Sequence, residues 1–330
     1  MRLLVSGGAG YIGSTVVSEL LAAGHEVTVY DNLSHGYVAA VPKGAEFVQG
    51  DIADSSELAT LLKRSGIEAV LHFAALIEAG ESMQAPERYF QNNTMGTLTL
   101  LQAMLNSNVK RLVFSSTAAV YGQPEQVPIP EEHKLQPTNA YGESKLLVER
   151  MLAWFHRVHD MRYASLRYFN AAGATAERGE SHVPETHLIP LVLQVAMGQR
   201  EAISVYGDDY ETPDGTCVRD YIHVTDLATA HVLALEALAE RTQLIYNLGN
   251  GTGFSVLQVI EMARRVTRHP IPAVTAPRRA GDPAILVASS DRIRHELKWK
   301  PRYPELQTIL ETAWQWMKKN PNGWRASSAS

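Results

Sequence analysis

From residue 2 to residue 170, short apolar runs alternate with longer stretches whose apolar positions recur every three or four residues. The runs at 2–6, 26–30, 46–52, 69–75, 110–117 and 163–170 read as six strands. Between them, Val16, Val17, Leu20 and Leu21 mark one helix and residues 56–62 a short second one. A long helix runs from about 86 through Leu98, Leu101 and Met104. Another follows through Leu146, Leu147, Val148, Met151, Leu152, Trp154 and Phe155. Strand–helix alternation of this kind predicts an α/β fold, a doubly wound parallel (Rossmann) sheet, for residues 1–170.

Beyond 170 the regular pattern stops. Residues 171–215 are rich in Gly, Pro, His and acidic positions around one apolar helix at 188–197, and are expected to form loops that clasp a ligand rather than a sheet. Asp226 is placed to cap a helix through Leu235, residues 245–248 return to strand, and Ser255 is placed to cap a helix to Val266. Helices starting at Asp291 and Glu305 finish the chain. The expected organisation is a smaller mixed α/β substrate lobe over 171–320, with about 220–250 returning to the main domain, and a disordered tail at 321–330.

Composition narrows the class. In 330 residues, 45% are hydrophobic and 20% charged, and the net charge of −5 offers no basic field for nucleic acid or anionic membrane. Cys217 is the one cysteine, so neither an intrachain disulfide nor a cysteine metal cluster is expected, and no metal site is assigned. The chain runs directly into a strand, and no apolar stretch reaches the roughly 18–20 residues of a membrane span. A cytoplasmic protein without a signal peptide is the expectation.

The chemistry starts at the first turn. Gly7, Gly10 and Gly13 follow the first strand and open a helix, which lets the backbone turn tightly and a pyrophosphate approach free N–H groups at the helix start. Asp31 ends the second strand, where a carboxylate accepts hydrogen bonds from ribose hydroxyls and repels a 2′-phosphate; NAD is favoured over NADP. Asp51 and Ile52 are placed to flank an adenine ring, and the small residues ending strand four allow a ligand close to the backbone. His72, inside an apolar run, reads as a satisfied core histidine.

Tyr141 and Lys145 stand one turn apart on a helix, so phenol and ammonium share one face. A cation beside a phenol lowers its pKa from about 10 and makes a general base. Taken alone, such a pair reads as readily as a core aromatic and a solvated lysine. Thr117, just past strand five, lies beyond the carboxyl ends of the strands, where ligands of such sheets bind and where Tyr141 and Lys145 project.

Taken together, the glycine turn, Ser115-Ser116-Thr117, Tyr141 with Lys145, and Arg167-Tyr168-Phe169-Asn170 resemble the extended short-chain dehydrogenase/reductase superfamily. Residues 114–122, 214–224 and 278–282 are similar to those of its UDP-glucose 4-epimerases, and the resemblance runs to about residue 318. It implies reversible inversion at C4 of a UDP-hexose, with NAD retained and Tyr141 as acid and base. Lys145 is implied to hold the nicotinamide ribose and, with the cationic nicotinamide, to depress the Tyr141 pKa, and Thr117 to hydrogen-bond the reacting oxygen. Gly7, Gly10, Tyr11, Ile12, Gly13, Asp31, Asn32, Asp51, Ile52, Phe73, Ala74, Ala75, Asn92, Tyr141, Lys145 and Phe169 are implied to hold NAD. Thr117, Tyr141, Asn170, Leu188, Tyr206, Arg219, Arg278 and Asp282 are implied to hold the UDP-sugar, the arginines suiting a diphosphate.

Two positions depart from the family pattern. Ile77 stands where relatives carry a lysine that touches NAD. Leu286 aligns with the position thought to gate N-acetyl sugars and is intermediate in size. The family also implies a homodimer through a four-helix bundle of helices 86–106 and 140–158, whose apolar residues lie on more than one face. Two rivals carry less weight. A 4,6-dehydratase needs an acid and a base after the threonine, where this chain has Ala118 and Ala119. A non-catalytic NAD-binding regulator has no use for the Thr117, Tyr141 and Lys145 trio. Epimerisation of another UDP-sugar and a net dehydrogenase remain open alternatives.

Overall fold

The computed structural model describes residues 1–279 and 281–324. Strand β1 (Arg2–Ser6) enters helix α1 (Tyr11–Ala22), followed by β2 (Glu26–Asp31), β3 (Glu46–Gln49), α2 (Ser55–Arg64) and β4 (Ala69–His72). Short helices α3 (Ala79–Ser82) and α4 (Pro86–Tyr89) lead to α5 (Gly96–Asn106), β5 (Arg111–Thr117), α6 (Ala140–His159) and β6 (Arg162–Tyr168). Next come β7 (Asn170–Ala172), α7 (Leu188–Ala196), β8 (Ile203–Tyr206), β9 (Val218–His223), α8 (Val224–Ala237) and β10 (Gln243–Leu248). The chain continues through β11 (Gly253–Ser255), α9 (Val256–Thr267), β12 (Ala273–Ala276), β13 (Ile285–Leu286), α10 (Asp291–Leu297) and α11 (Leu306–Lys319).

Seven strands form one sheet in the order β3-β2-β1-β4-β5-β6-β10, and every neighbour is parallel. The doubly wound parallel sheet expected from the pattern is the one observed. Strand order reverses between β1 and β4, so the crevice beyond their carboxyl ends is open to a ligand. Leu3 and Val5 face one core with Val16, Val17 and Leu20 of α1 and Leu227 and Leu235 of α8. Leu4, between them in sequence, faces the opposite core with residues of α2, α5 and α6 such as Leu58, Leu101 and Leu152. That is the two-residue period of a strand covered on both faces.

A second apolar core joins α7, α9 and α11 through Ile189, Val192, Leu193, Val259, Ile260, Ile309 and Leu310. Here β9 pairs antiparallel with β11 and parallel with β7 and β13, while β8 pairs with β12. Residues 171–215 are therefore not loops alone. In β8, Ile203 and Val205 are buried while Ser204 and Tyr206 are exposed, an alternation short enough to be overlooked in a polar region.

Further corrections concern ends and caps. Residues Phe90–Met95, inside the expected long helix, form a π-helical segment between α4 and α5. Asp226 does not cap α8; the His223 ring does, accepting from the Thr225 N–H. The Asp226 carboxylate instead accepts from the Arg302 and Tyr303 N–H groups at 2.6 and 2.9 Å and fastens the approach to α11. Ser255 caps α9 as expected, in a reciprocal box with Gln258. Of the expected tail, Trp324 packs on Trp316 against the second core, and Gln199 donates to the Pro321 carbonyl, so 321–324 are held to the lobe. Residues 325–330, like Ala280 of the 278–282 motif, lie outside the described residues. Among the described residues, no helix is long and apolar enough to cross a membrane.

Candidate active site

A cavity of about 310 Å³ follows the carboxyl ends of the sheet and is lined by residues at the ends of β1, β2, β4, β5 and β6. Its floor is the glycine turn. Gly7 has φ +76°, and a Cβ there would lie 2.5 Å from the Ala74 nitrogen; one on Gly13 would lie 2.2 Å from the Gly7 carbonyl oxygen. These two glycines let β1, α1 and β4 approach one another. A Cβ on Gly10 would meet nothing closer than 3.4 Å, and Gly10 caps α1 without a side-chain hydrogen bond. The N–H groups that begin α1 therefore face the cavity with the positive end of the helix dipole. Asp31 is buried beside them, its carboxylate accepting from the Ala9 and Leu33 N–H groups at 3.0 and 2.8 Å. An uncapped helix start beside a fixed carboxylate fits a dinucleotide carrying a pyrophosphate and a ribose with free hydroxyls.

Of the residues expected to hold NAD, Gly7, Gly10, Tyr11, Ile12, Gly13, Asp31, Asn32, Ile52, Phe73, Ala74, Ala75, Asn92, Tyr141, Lys145 and Phe169 line this cavity. Asp51 stands just outside it, accepting from the Asn32 side chain at 2.8 Å. Ile77 lines it too, so an alkyl group takes the place of the relatives' amine. His72 is a satisfied core residue, bonded to Ser6 and Thr97 at 2.7 and 2.8 Å and held neutral by burial, with its pKa lowered to about 3.

Thr117, Tyr141 and Lys145 meet in the same cavity. The Asn139 side chain caps α6 by accepting from the Gly142 N–H at 2.8 Å. Gly142 lets the start of α6 press on the turn after β5, since a Cβ there would lie 2.6 Å from the Ala119 carbonyl oxygen. The Thr117 hydroxyl accepts from the Ala119 N–H at 3.1 Å and stands near enough to the phenol of Tyr141 to lower its pKa. Lys145 lies 5.0 Å over the Phe114 ring and donates to the Ser115 carbonyl at 2.9 Å. Burial pushes Tyr141 up to about 12, more than Thr117 offsets, and the nearby Glu78 carboxylate raises it further. Burial pushes the Lys145 ammonium down to about 7. In the chain by itself desolvation disfavours both charged forms, and the expected depression of the phenol involves the cationic nicotinamide as well as Lys145.

Several contacts escaped the sequence reading. The Ser115 hydroxyl bonds the phenol of Tyr168 at the cavity base, a meeting set by β5 pairing with β6. Asn93, on the π-helical segment, binds both the N–H and the carbonyl of Leu76 and reaches the Ser144 hydroxyl at 3.1 Å. It ties the cavity wall to the helix of Tyr141 and Lys145. Behind Thr117, the Ser116 hydroxyl donates to the Glu149 carboxylate, which pairs with Arg167 at 2.5 and 2.9 Å. Both side chains are nearly buried, at 3% and 6% exposed for Arg167 and Glu149. Arg167 also donates to the Tyr121 hydroxyl and the Glu131 carbonyl, and Tyr121 donates to Asn247 of β10 at 2.7 Å.

The expected substrate ligands divide. Thr117, Tyr141 and Asn170 line the cavity, and Asn170 donates to the Asp220 carbonyl. Leu188, Tyr206, Arg219, Arg278 and Asp282 do not line it. Arg219 and Asp282 are brought together, but as partners of each other at 2.6 Å. Arg278 pairs with Asp209 at 2.6 Å and lies over the Tyr210 ring, while Arg279 lies over Tyr206. The two arginines expected to hold a diphosphate are occupied by carboxylates here. Leu286 of β13 pairs with Arg219 of β9 and packs against the apolar cluster that includes Phe169 and Leu146.

Comparison with known proteins agrees with this geometry. Residues 3–249 match the NAD dependent epimerase/dehydratase family. The chain is 53% identical over 327 residues to a UDP-glucose 4-epimerase of Halalkalibacterium halodurans, covering 98% of each chain. It superposes on the crystal structure of the UDP-glucose 4-epimerase from Brucella ovis in complex with NAD with a TM-score of 0.92 at 46% identity, covering 95% of this chain and 97% of that one. For the enzyme from Bifidobacterium longum in complex with NAD+ and UDP, the TM-score is 0.94 at 40% identity, covering 98% and 100%. With most of its length matched and the similarity running nearly end to end, the chain belongs to the NAD dependent epimerase/dehydratase family.

Proposed function

We propose that this chain inverts C4 of a UDP-hexose, interconverting UDP-galactose and UDP-glucose, with NAD as its cofactor and Tyr141 as acid and base. The observation that carries the reading is that a single cavity holds both the glycine turn of α1 and the Thr117, Tyr141 and Lys145 cluster. Full-length relatives that are UDP-glucose 4-epimerases, and solved relatives in complex with NAD and UDP, support it. Ala118 and Ala119 follow Thr117, so the acid and base that dehydration needs are absent from that turn.

When bound, NAD supplies the hydride acceptor and donor at the sugar C4 and a positive charge beside the phenol. The α1 N-terminus would hold its pyrophosphate and Asp31 its ribose hydroxyls. Lys145 would orient the nicotinamide ribose and lend its charge to the phenolate. Tyr141 takes the proton from the sugar 4-hydroxyl at its phenol oxygen, while Thr117 hydrogen-bonds the reacting oxygen. The 4-keto sugar turns about its link to the diphosphate, and Tyr141 returns the proton with the opposite face presented. Asn170 binds the UDP-sugar from within the cavity. Leu188, Tyr206, Arg219, Arg278 and Asp282 complete its binding once the arginines exchange carboxylate for diphosphate.

The remaining parts of the reading concern organisation. Residues 1–170 act as the NAD lobe and 171–320 as the substrate lobe, in a cytoplasmic homodimer paired through α5 and α6 as a four-helix bundle. What supports the dimer is the solvent side of this region, where Met95, Trp154 and Val158 are exposed. Purified protein incubated with UDP-galactose and no added cofactor, followed by NMR of the sugar, tests the function. UDP-glucose should appear, and Tyr141→Phe should slow its formation by about 10²–10⁴-fold. Failure to form UDP-glucose with or without added NAD would sink the hexose assignment.

A further inference from the structure

The loop between β7 and α7 carries Glu180, His182, Glu185 and His187 within eight residues. Each offers one ligand atom, and the four atoms lie within 4.8 Å of one another. Both imidazoles turn Nδ1 inward: His187 and His182 stand 2.8 and 3.1 Å from the same Glu180 oxygen, and 3.0 and 4.0 Å from the Glu185 carboxylate. Four ligands held about 2.0–2.1 Å from a tetrahedral ion stand roughly 3.3 Å apart, within the observed spread.

The donor set is one that a divalent cation takes. The Glu180 and Glu185 side chains are only 8% and 7% exposed. The two imidazole rings lie side by side, with ring centroids 5.3 Å apart. One divalent cation would match the charge of the two carboxylates. Two imidazole nitrogens with two carboxylate oxygens suit a borderline ion such as zinc, rather than the oxygen-only shells of magnesium and calcium. Outer contacts already hold the ligands: Glu185 accepts from the Thr186 and His187 N–H groups, each at 2.8 Å, and the Tyr11 ring packs edge-on against His182.

We propose that Glu180, His182, Glu185 and His187 form a zinc site in the wall of the cofactor cavity. Three of the four, Glu180, His182 and His187, line that cavity, so the ion pins this loop beside Tyr11 at the start of α1. Its role is positional, fixing one wall of the cavity just before Leu188 begins α7.

Metal analysis of the full-length protein, purified without a metal-affinity tag and dialysed against metal-free buffer, is the test. About one zinc ion per chain should remain, leave with a strong chelator together with a fall in Tm, and return on adding zinc alone. The double variant His182→Gln/His187→Gln, checked for fold by circular dichroism, should lose that equivalent. Should the variant fail to fold, cobalt-substituted wild type keeps the question open to decision. Visible bands of four-coordinate cobalt and two shifted, exchangeable imidazole N–H signals support the site. Wild type that takes up neither zinc nor cobalt, or a folded double variant that keeps its full zinc, would overturn it and leave an ion-pair cluster. The readout is metal and not epimerisation, so its failure leaves the epimerase reading intact.

Discussion

Removing the Glu149 carboxylate strips Arg167 of its buried counter-charge. Glu149→Ala deletes two hydrogen bonds from the guanidinium and one from Ser116, and leaves an Arg side chain that is 3% exposed without its anion. Breaking one side of a buried pair costs about 3–5 kcal/mol. At about 2 °C of Tm per kcal/mol for a chain of this size, the transition should fall by about 6–10 °C. Glu149→Leu combined with Arg167→Met removes both charges and refills the volume, so it should lose much less than either single change. The assay is urea and thermal unfolding of the wild type, both singles and the double, read as a cycle. Single variants that each cost under about 1 kcal/mol and add in the double would refute the claim that this pair braces the strands behind Thr117.

Other consequences are as open to test. Gly13→Ala drives a Cβ toward the Gly7 carbonyl, so overpacking of about 1–3 kcal/mol and loss of retained NAD are expected; a variant that copurifies with full NAD contradicts the tight-turn argument. In protein freed of NAD, folded Lys145 loses its proton near pH 7 while the unfolded chain holds it to 10.5. Stability should therefore rise with pH between about 7 and 10, by on the order of 4–5 kcal/mol at most, then turn down where folded Tyr141 keeps a proton that the unfolded chain releases. Unfolding of wild type and Lys145→Met at pH 7, 8.5 and about 10 checks this, since the variant should lack the rise. Trp154 is 61% exposed, and Trp154→Glu should convert the proposed dimer to monomer by light scattering; an unchanged mass moves the dimer contact elsewhere.

The legible parts of the sequence were those whose chemistry is local. Three glycines after a strand, a Tyr and a Lys one helical turn apart, and Ser255 ahead of Gln258 each announce a geometry within a few residues. Tyr168 and Ser115 meet only through the register of two strands, which no local pattern encodes. The π-helical segment Phe90–Met95 shifts the helical period by a single residue, and its four polar positions leave too few apolar ones to show the shift. Asp226 looked like a cap because acidic residues favour helix starts, yet a distant loop supplied its donors. Arg219 and Arg278 were assigned by resemblance, and their present partners are carboxylates that folding brings from elsewhere. The four donors of residues 180–187 were visible all along, but a search guided by cysteine passes over them.

The placement of β10 bears on how the chain is made. Strands β1 to β6 are complete once residue 168 has been synthesised, but the edge of β6 stays bare until residues 243–248 arrive. Until then, α8 has not covered its face of the sheet, and Tyr121 lacks Asn247. A ribosome-bound chain of about 170 residues therefore presents an unpaired parallel edge and an uncovered apolar face, the two features that recruit chaperones and invite aggregation. A gene truncated at that point should yield insoluble product, and pauses in translation between residues 170 and 248 should lower the yield of the full chain more than pauses placed after them.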